Sequence, residues 1–157
     1  MEDRDLNNEI LMILPRRTFF KASCLPGNWE IDQDPAGLSV LVDQQPAAYA
    51  SWKDEDDFGM DRPAILFDVR RCDARTKLDL FEAVISRLAI AYDQIPGKYP
   101  LYIRLSETDL DLIAQASHLG FIPYFGKWAK KTPEQSEKSW QMITDSLRNR
   151  YPAGLNA

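Results

Sequence analysis

Apolar positions between residues 76 and 92 recur at steps of three and four: Leu78, Phe81, Ile85, Leu88 and Tyr92. That spacing predicts an amphipathic helix. Thr76 with Asp79 three residues on makes a capping box in which Asp stands for Glu, and Pro96-Gly97 closes the helix. Strand patterns flank it. In residues 64–71, Ile65, Phe67 and Val69 alternate with Leu66, Asp68 and Arg70, and residues 101–105 form a second short apolar run. Upstream, residues 38–43 and 47–53 predict a β-hairpin around Gln44-Gln45-Pro46, followed by a charged loop over residues 54–59. Downstream, Leu110, Ile113, Ala114 and Leu119 predict a helix capped by Ser106 or Thr108 and ended by a left-handed Gly120. A strand over residues 121–129 follows. Thr132-Pro133 then opens a last helix with Trp140, Ile143 and Leu147 on one face. At the other end, Leu6, Ile10, Leu11 and Leu14 share a helical face, which predicts a first helix capped by Asp5 and ended by Pro15. The turn-rich stretch from Pro15 to Gly37 leaves room only for short strands.

Strand–helix–strand units imply a parallel pair, and the hairpin implies antiparallel pairing. The expected fold is therefore α/β: a mixed, mostly antiparallel sheet around a parallel strand–helix–strand core, with helices on both faces. A length of 157 residues suits one domain. Its parts are an atypical segment 1–37, a core 38–130 and a C-terminal helix and tail 131–157. At 45% hydrophobic and 27% charged residues, the chain has the composition of a globular protein rather than a disordered one.

Charge and cysteine usage narrow the function classes. The net charge is −5 and no basic stripe is visible, which argues against nucleic acid as a partner. Lys127, Lys130 and Lys131 form a local cluster that reads either as a solvated strand end or as a phosphate contact. Cys24 and Cys72 are far apart and without metal spacing, so they read as free thiols of a reducing compartment. One histidine, His118, cannot build a multi-histidine metal site. The polar, acidic start lacks the blocks of a signal peptide, and no apolar run approaches the ~20 residues of a membrane span. The expected location is the cytoplasm.

The hairpin, the strand 64–71, the helix beginning at Thr76 and the run Ala116-Ser117-His118-Leu119-Gly120-Phe121, in that order, resemble the GNAT (GCN5-related N-acetyltransferase) superfamily over residues 38–130. The stretch Arg71-Cys72-Asp73-Ala74-Arg75-Thr76 is similar to the family's cofactor loop, Gln/Arg-x-x-Gly-x-Gly/Ala. Arg71 matches the first position, while Ala74 and Thr76 stand where glycines are usual and Asp73 adds a negative charge. In such a loop, amides at a helix N-terminus hold the pyrophosphate of coenzyme A. The resemblance implies acetyl-CoA or another acyl-CoA as cofactor, held by Val69, Arg71, Ala74, Arg75 and Thr76. It implies transfer of the acyl group to a small-molecule or protein amine.

Acyl transfer to an amine needs a base and a donor for the departing thiolate. Asp68, alone among apolar neighbours on a strand that faces the acyl group in the family, is the candidate base; its other reading is a charge on the polar face of the strand or an ion pair with Arg70. The family's usual Tyr falls at Ala116 here, which leaves Tyr102 and Tyr124 as candidate acids or packing residues, with Tyr124 preferred for the site. His118 near the helix end is a further candidate or a surface histidine. Glu55, Asp56 and Asp57 form either an acidic mouth for a cationic amine or a solvated loop. Trp29, Trp52, Trp128 and Trp140 either line a groove or fill the core. With two glycines and the Tyr replaced, the alternative is a catalytically inactive domain that acts through protein contacts.

Overall fold

The computed structural model describes residues 9–15, 24–35, 37–57, 60–92, 100–126 and 131–151, without the side chains of 52–57, 60–63 and 92. The elements run β1 (Glu9–Leu14), β2 (Trp29–Asp34), β3 (Gly37–Val42), β4 (Gln45–Asp57), β5 (Met60–Val69), α1 (Ala74–Tyr92), β6 (Leu101–Ser106), α2 (Leu110–His118), β7 (Ile122–Pro123) and α3 (Pro133–Arg150). The seven strands form one mixed sheet in the order β2-β3-β4-β5-β6-β1-β7. β5 and β6, joined through α1, are parallel, and the remaining pairs are antiparallel.

The expected first helix is instead strand β1. It lies antiparallel to β6 over six register pairs, from Glu9↔Ser106 to Leu14↔Leu101, with β7 on its other edge. Ile10, Met12 and Leu14 are fully buried and Leu11 is 6% exposed, so the strand is covered on both sides. A short apolar run of this kind carries no clean period, and pairing with two neighbours decides it.

Alternation sorts the sheet into unequal faces. Ile10, Met12, Val40, Ala50, Ile65, Phe67, Leu101 and Ile103 join Leu80, Phe81 and Ile85 of α1, Leu112 and Ile113 of α2, and Trp140 and Ile143 of α3 in one core. Phe67 and Phe81 meet edge to face at 5.1 Å. The opposite face carries a small cluster of Leu11, Ala64 and Tyr102 with Ile13 and Tyr124, to which no described helix contributes. The expectation of helices on both faces is therefore not met among the described residues.

Boundaries differ from the expectations for local reasons. The hairpin turn is Asp43-Gln44, both at positive φ (52° and 66°), which matches the twist of a two-residue connection. β4 extends through Asp57 against Met60 of β5, so the acidic stretch 54–57 is strand rather than loop. β7 is only two residues long, and 127–130 of the expected last strand lie outside the described residues. α2 is capped by Asp109, whose side chain accepts from the Leu112 amide, not by Ser106 or Thr108. The capping box of α3 is as expected at its first position, with Thr132 and Gln135 bonded reciprocally. Gly120 has φ 106°, the left-handed conformation anticipated for it. Lys131, 7% exposed, ties the start of α3 to the end of β6 through Glu107 at 3.1 Å and to Ser139 at 2.8 Å.

Two substitutions test this architecture. Met12→Ala empties a fully buried site in β1 and is expected to cost about 2–5 kcal/mol in denaturant unfolding, a loss that a surface helix would not show. Gln44→Gly relieves a left-handed residue worth about 1–2 kcal/mol of strain but loosens the unfolded chain, so a net gain of about 0.5 kcal/mol is expected as a raised midpoint at constant m.

Candidate functional site

The ladder between β5 and β6 consists of two register pairs, Ala64↔Tyr102 and Ile65↔Ile103, although both strands continue to Val69 and Ser106. Past those pairs the strands open into a cleft of about 400 Å³. Phe67 and Val69 of β5, Arg104, Leu105 and Ser106 of β6, Glu9 of β1, Lys77 of α1 and Thr108, Asp109 and Leu112 at the start of α2 line it. Phe67, Val69 and Leu105 belong to the helix-covered face, and Glu9 and Arg104 alternate onto the other, so the cleft reaches through the sheet. Ligands favour such places, at the carboxyl ends of parallel strands.

Main-chain direction adds to this. The Arg70 amide donates to Ala47 O on the β4 side at 2.9 Å. N–H groups alternate along a strand, so those of Leu66 and Asp68 also face β4, and those of Phe67 and Val69 face the opened side. Two ion pairs frame the cleft: Lys77 with Asp109, and Arg104 with Glu9 at 3.6 Å. Each couples a cation and a carboxylate of different elements, Lys77–Asp109 across α1 and α2, Arg104–Glu9 across β6 and β1.

The start of α1 is closed by a side chain. Asp73 accepts from the Thr76 amide at 2.8 Å and from the Thr76 hydroxyl at 2.8 Å, and these bonds hold its carboxyl below the usual carboxylate range. Asp73 thus caps the helix, and Thr76 occupies the third helical position instead of capping it. The carboxylate takes a donor that an anion at this corner would otherwise use.

Of the candidate cofactor residues, Val69 lines the cleft, Thr76 is bound to Asp73, Arg71 is exposed on the connection, and Ala74 and Arg75 are exposed in the first turn of α1. Asp68 is exposed and, alternating with Phe67 and Val69, stands on the face to which no described helix contributes. Tyr124 stacks edge to face on Tyr102 at 5.4 Å on that same face, beyond β6 and β1 in the sheet. Asp68 and Tyr124 thus share a face but not adjacent strands. His118 is exposed at the end of α2, Trp29 is half-buried against the core and Trp140 is buried in it. Lys127, Lys130 and Trp128 and the side chains of Trp52, Glu55, Asp56 and Asp57 lie outside the described residues.

Lys77, Arg104, Glu9 and Asp109 were not anticipated. Arg104 carried a readable signal, a lone charge inside the apolar run 101–105, the same signal that singled out Asp68. Glu9 comes to the cleft only because β1 is a strand paired with β6. No described helix is long and apolar enough to cross a membrane. Compared with family models, with curated proteins and with solved structures, the chain has no match.

The cap generates a pH test. The folded Asp73 carboxyl is held below its ordinary value of 3.8, so its contribution is present above that value and is lost as pH falls through the folded one. Asp73→Ala is expected to lower Tm at pH 7, and the gap from the native chain is expected to narrow steadily between pH 5 and pH 2. A gap independent of pH would show that the charge of Asp73 does not hold the helix.

Proposed function

We propose that the chain is an acyl-CoA-dependent N-acyltransferase of GNAT type, moving an acetyl or other acyl group onto an amine of a small molecule or protein. The observation that carries the reading is the opening of β5 from β6 into a cleft that passes through the sheet beside the start of α1. The acyl thioester supplies the activated carbonyl. The chain supplies orientation: the Phe67 and Val69 amides face the opened side as donors to carbonyl oxygens, and Phe67, Val69 and Leu105 exclude water around the acyl end. Arg71, exposed on the connection to α1, and Arg75, exposed in its first turn, take the phosphate charge. Ala74 offers a small side chain beside them, and Thr76, held by Asp73, fixes the helix start. The phosphates therefore rest on guanidinium groups more than on the first helical amides.

The amine comes from the face opposite the described helices, drawn by an acidic chain of net charge −5. There Asp68 accepts a proton from the amine as the new C–N bond forms. As the C–S bond breaks, the departing thiolate takes its proton from solvent, since Tyr124 stands beyond β6 and β1 and does not line the cleft. The reading sets this chemistry in the cytoplasm, in keeping with the free thiols Cys24 and Cys72.

A second reading is favoured by Asp73 itself. With its carboxylate on the Thr76 amide, the corner repels diphosphate, and the domain keeps the cleft as a binding or regulatory module that works through protein contacts without catalysis.

Calorimetry with acetyl-CoA separates the two. The transferase reading expects saturable binding below millimolar ligand and a loss of about tenfold or more in an Arg71→Ala/Arg75→Ala double variant, since each charge-assisted contact is worth about 1.5–3 kcal/mol. Absence of any binding by the folded chain at millimolar acetyl-CoA removes that reading and leaves the second.

A further inference from the structure

The charged side chains that line the cleft between β5 and β6 form two pairs of different character. Lys77 donates directly to Asp109, and the other oxygen of Asp109 accepts from the Leu112 amide at 3.3 Å. That carboxylate is committed to one lysine and to the cap of α2. The second pair, Arg104 and Glu9, lies on the face to which no described helix contributes, and it is looser. Arg104 Nε stands 3.6 Å from Glu9 Oε2, outside hydrogen-bond distance. A guanidinium has several N–H donors and a carboxylate several acceptor positions, more than that single approach uses.

Both members of the looser pair are mostly withdrawn from water yet reach the cleft. The side chains of Arg104 and Glu9 are 13% and 11% exposed, and both line the opening. A pair so placed adds little net stability, because taking two charges out of water offsets most of their attraction. Its effect on an entering molecule is larger. A simple amine sets its charge beside Arg104, and a simple carboxylate sets its charge beside Glu9, where little water screens the repulsion. A molecule that carries both charges close together sets each against its opposite. An α-amino acid holds its two charges one carbon apart, which matches protein charges that stand 3.6 Å apart on neighbouring strands.

We propose that the cleft binds an α-amino acid with an apolar side chain. The α-carboxylate pairs with Arg104 and the α-ammonium with Glu9. The side chain passes through the opening toward Phe67 and Leu105 on the helix-covered face. The inference rests on the cleft of the proposed function but not on acyl transfer. Under the transferase reading the amino acid is the acceptor, and under the second reading it is the ligand of a binding module.

Three probes that share one branched chain test it by amide-shift titration and calorimetry on the full chain, with no acyl donor present. They are L-leucine, 3-methylbutylamine, which lacks the carboxylate, and 4-methylpentanoate, which lacks the amine. Shifts are expected at Phe67, Arg104, Leu105 and Ser106. L-leucine is expected to bind about tenfold tighter than either of the others, since each of them loses one charge-assisted contact and meets one like charge. Glu9→Gln is expected to erase the preference for L-leucine over 4-methylpentanoate and to keep that over 3-methylbutylamine; Arg104→Gln is expected to do the converse. Opposite changes in selectivity do not arise from a shared loss of folding. The Glu9→Gln/Arg104→Gln double variant leaves neither charge facing the cleft alone and is expected to bind the three probes alike. Absence of shifts at those residues with 10 mM L-leucine overturns the proposal, and so does equal binding of L-leucine and either other probe by the native chain. Failure here leaves acyl transfer to another amine standing, and failure to bind acetyl-CoA leaves this proposal standing.

Discussion

The sheet is held from both ends and opens in the middle. On one side β5 is zipped to β4 over ten register pairs, from Ala48↔Val69 to Asp57↔Met60. On the other, β6 is zipped to β1 over six. The two blocks meet at two pairs only, so each central strand follows its outer partner once the seam ends. Strand twist separates neighbours whose pairing is weak, and parallel ladders are slightly weaker per residue than antiparallel ones. The cleft, the exposed main-chain donors of β5 and the passage through the sheet all follow from that short seam. At the rim one ion pair ties β6 to β1 and the other ties α1 to the cap of α2.

Two features of the central corner pull in different directions. The opened ladder presents amides and apolar walls suited to a carbonyl-bearing chain, and exposed arginines stand nearby. Asp73 meanwhile caps the helix that an anion would approach, with a carboxylate stabilised by two bonds to Thr76. Capping serves folding, because α1 carries the largest share of the helix-side core through Leu80, Phe81, Val84, Ile85 and Leu88. Stability of the helix and hospitality to phosphate therefore compete for the same amides.

Much of the fold was legible because its signals are local. The stripe Leu78, Phe81, Ile85 and Leu88 fixed α1, Thr132-Pro133 marked the start of α3, and Gly120 marked the end of α2. What failed depended on partners distant in sequence. Residues 9–14 show an apolar run compatible with either a helix or a strand, and only β6 and β7 on its two edges make it a strand. The acidic run 54–57 looked like a loop because its pairing with 60–63 is invisible to local propensity. At the site, alternation gave Val69 its place on the strand and the resemblance alone pointed to it as a site residue, whereas Lys77, Asp109 and Glu9 reach the cleft from three different elements. Their convergence is a property of topology. Arg104 was legible in principle, as a charge inside a buried strand.

The opened seam itself is the claim on which the account turns, and amide hydrogen exchange in the free protein measures it directly. The Leu66 and Asp68 amides, facing β4, are expected to exchange slowly, and those of Phe67 and Val69, facing the opened side, orders of magnitude faster. Equal protection along all four residues would mean that β5 and β6 remain paired to their ends, with no cleft between them.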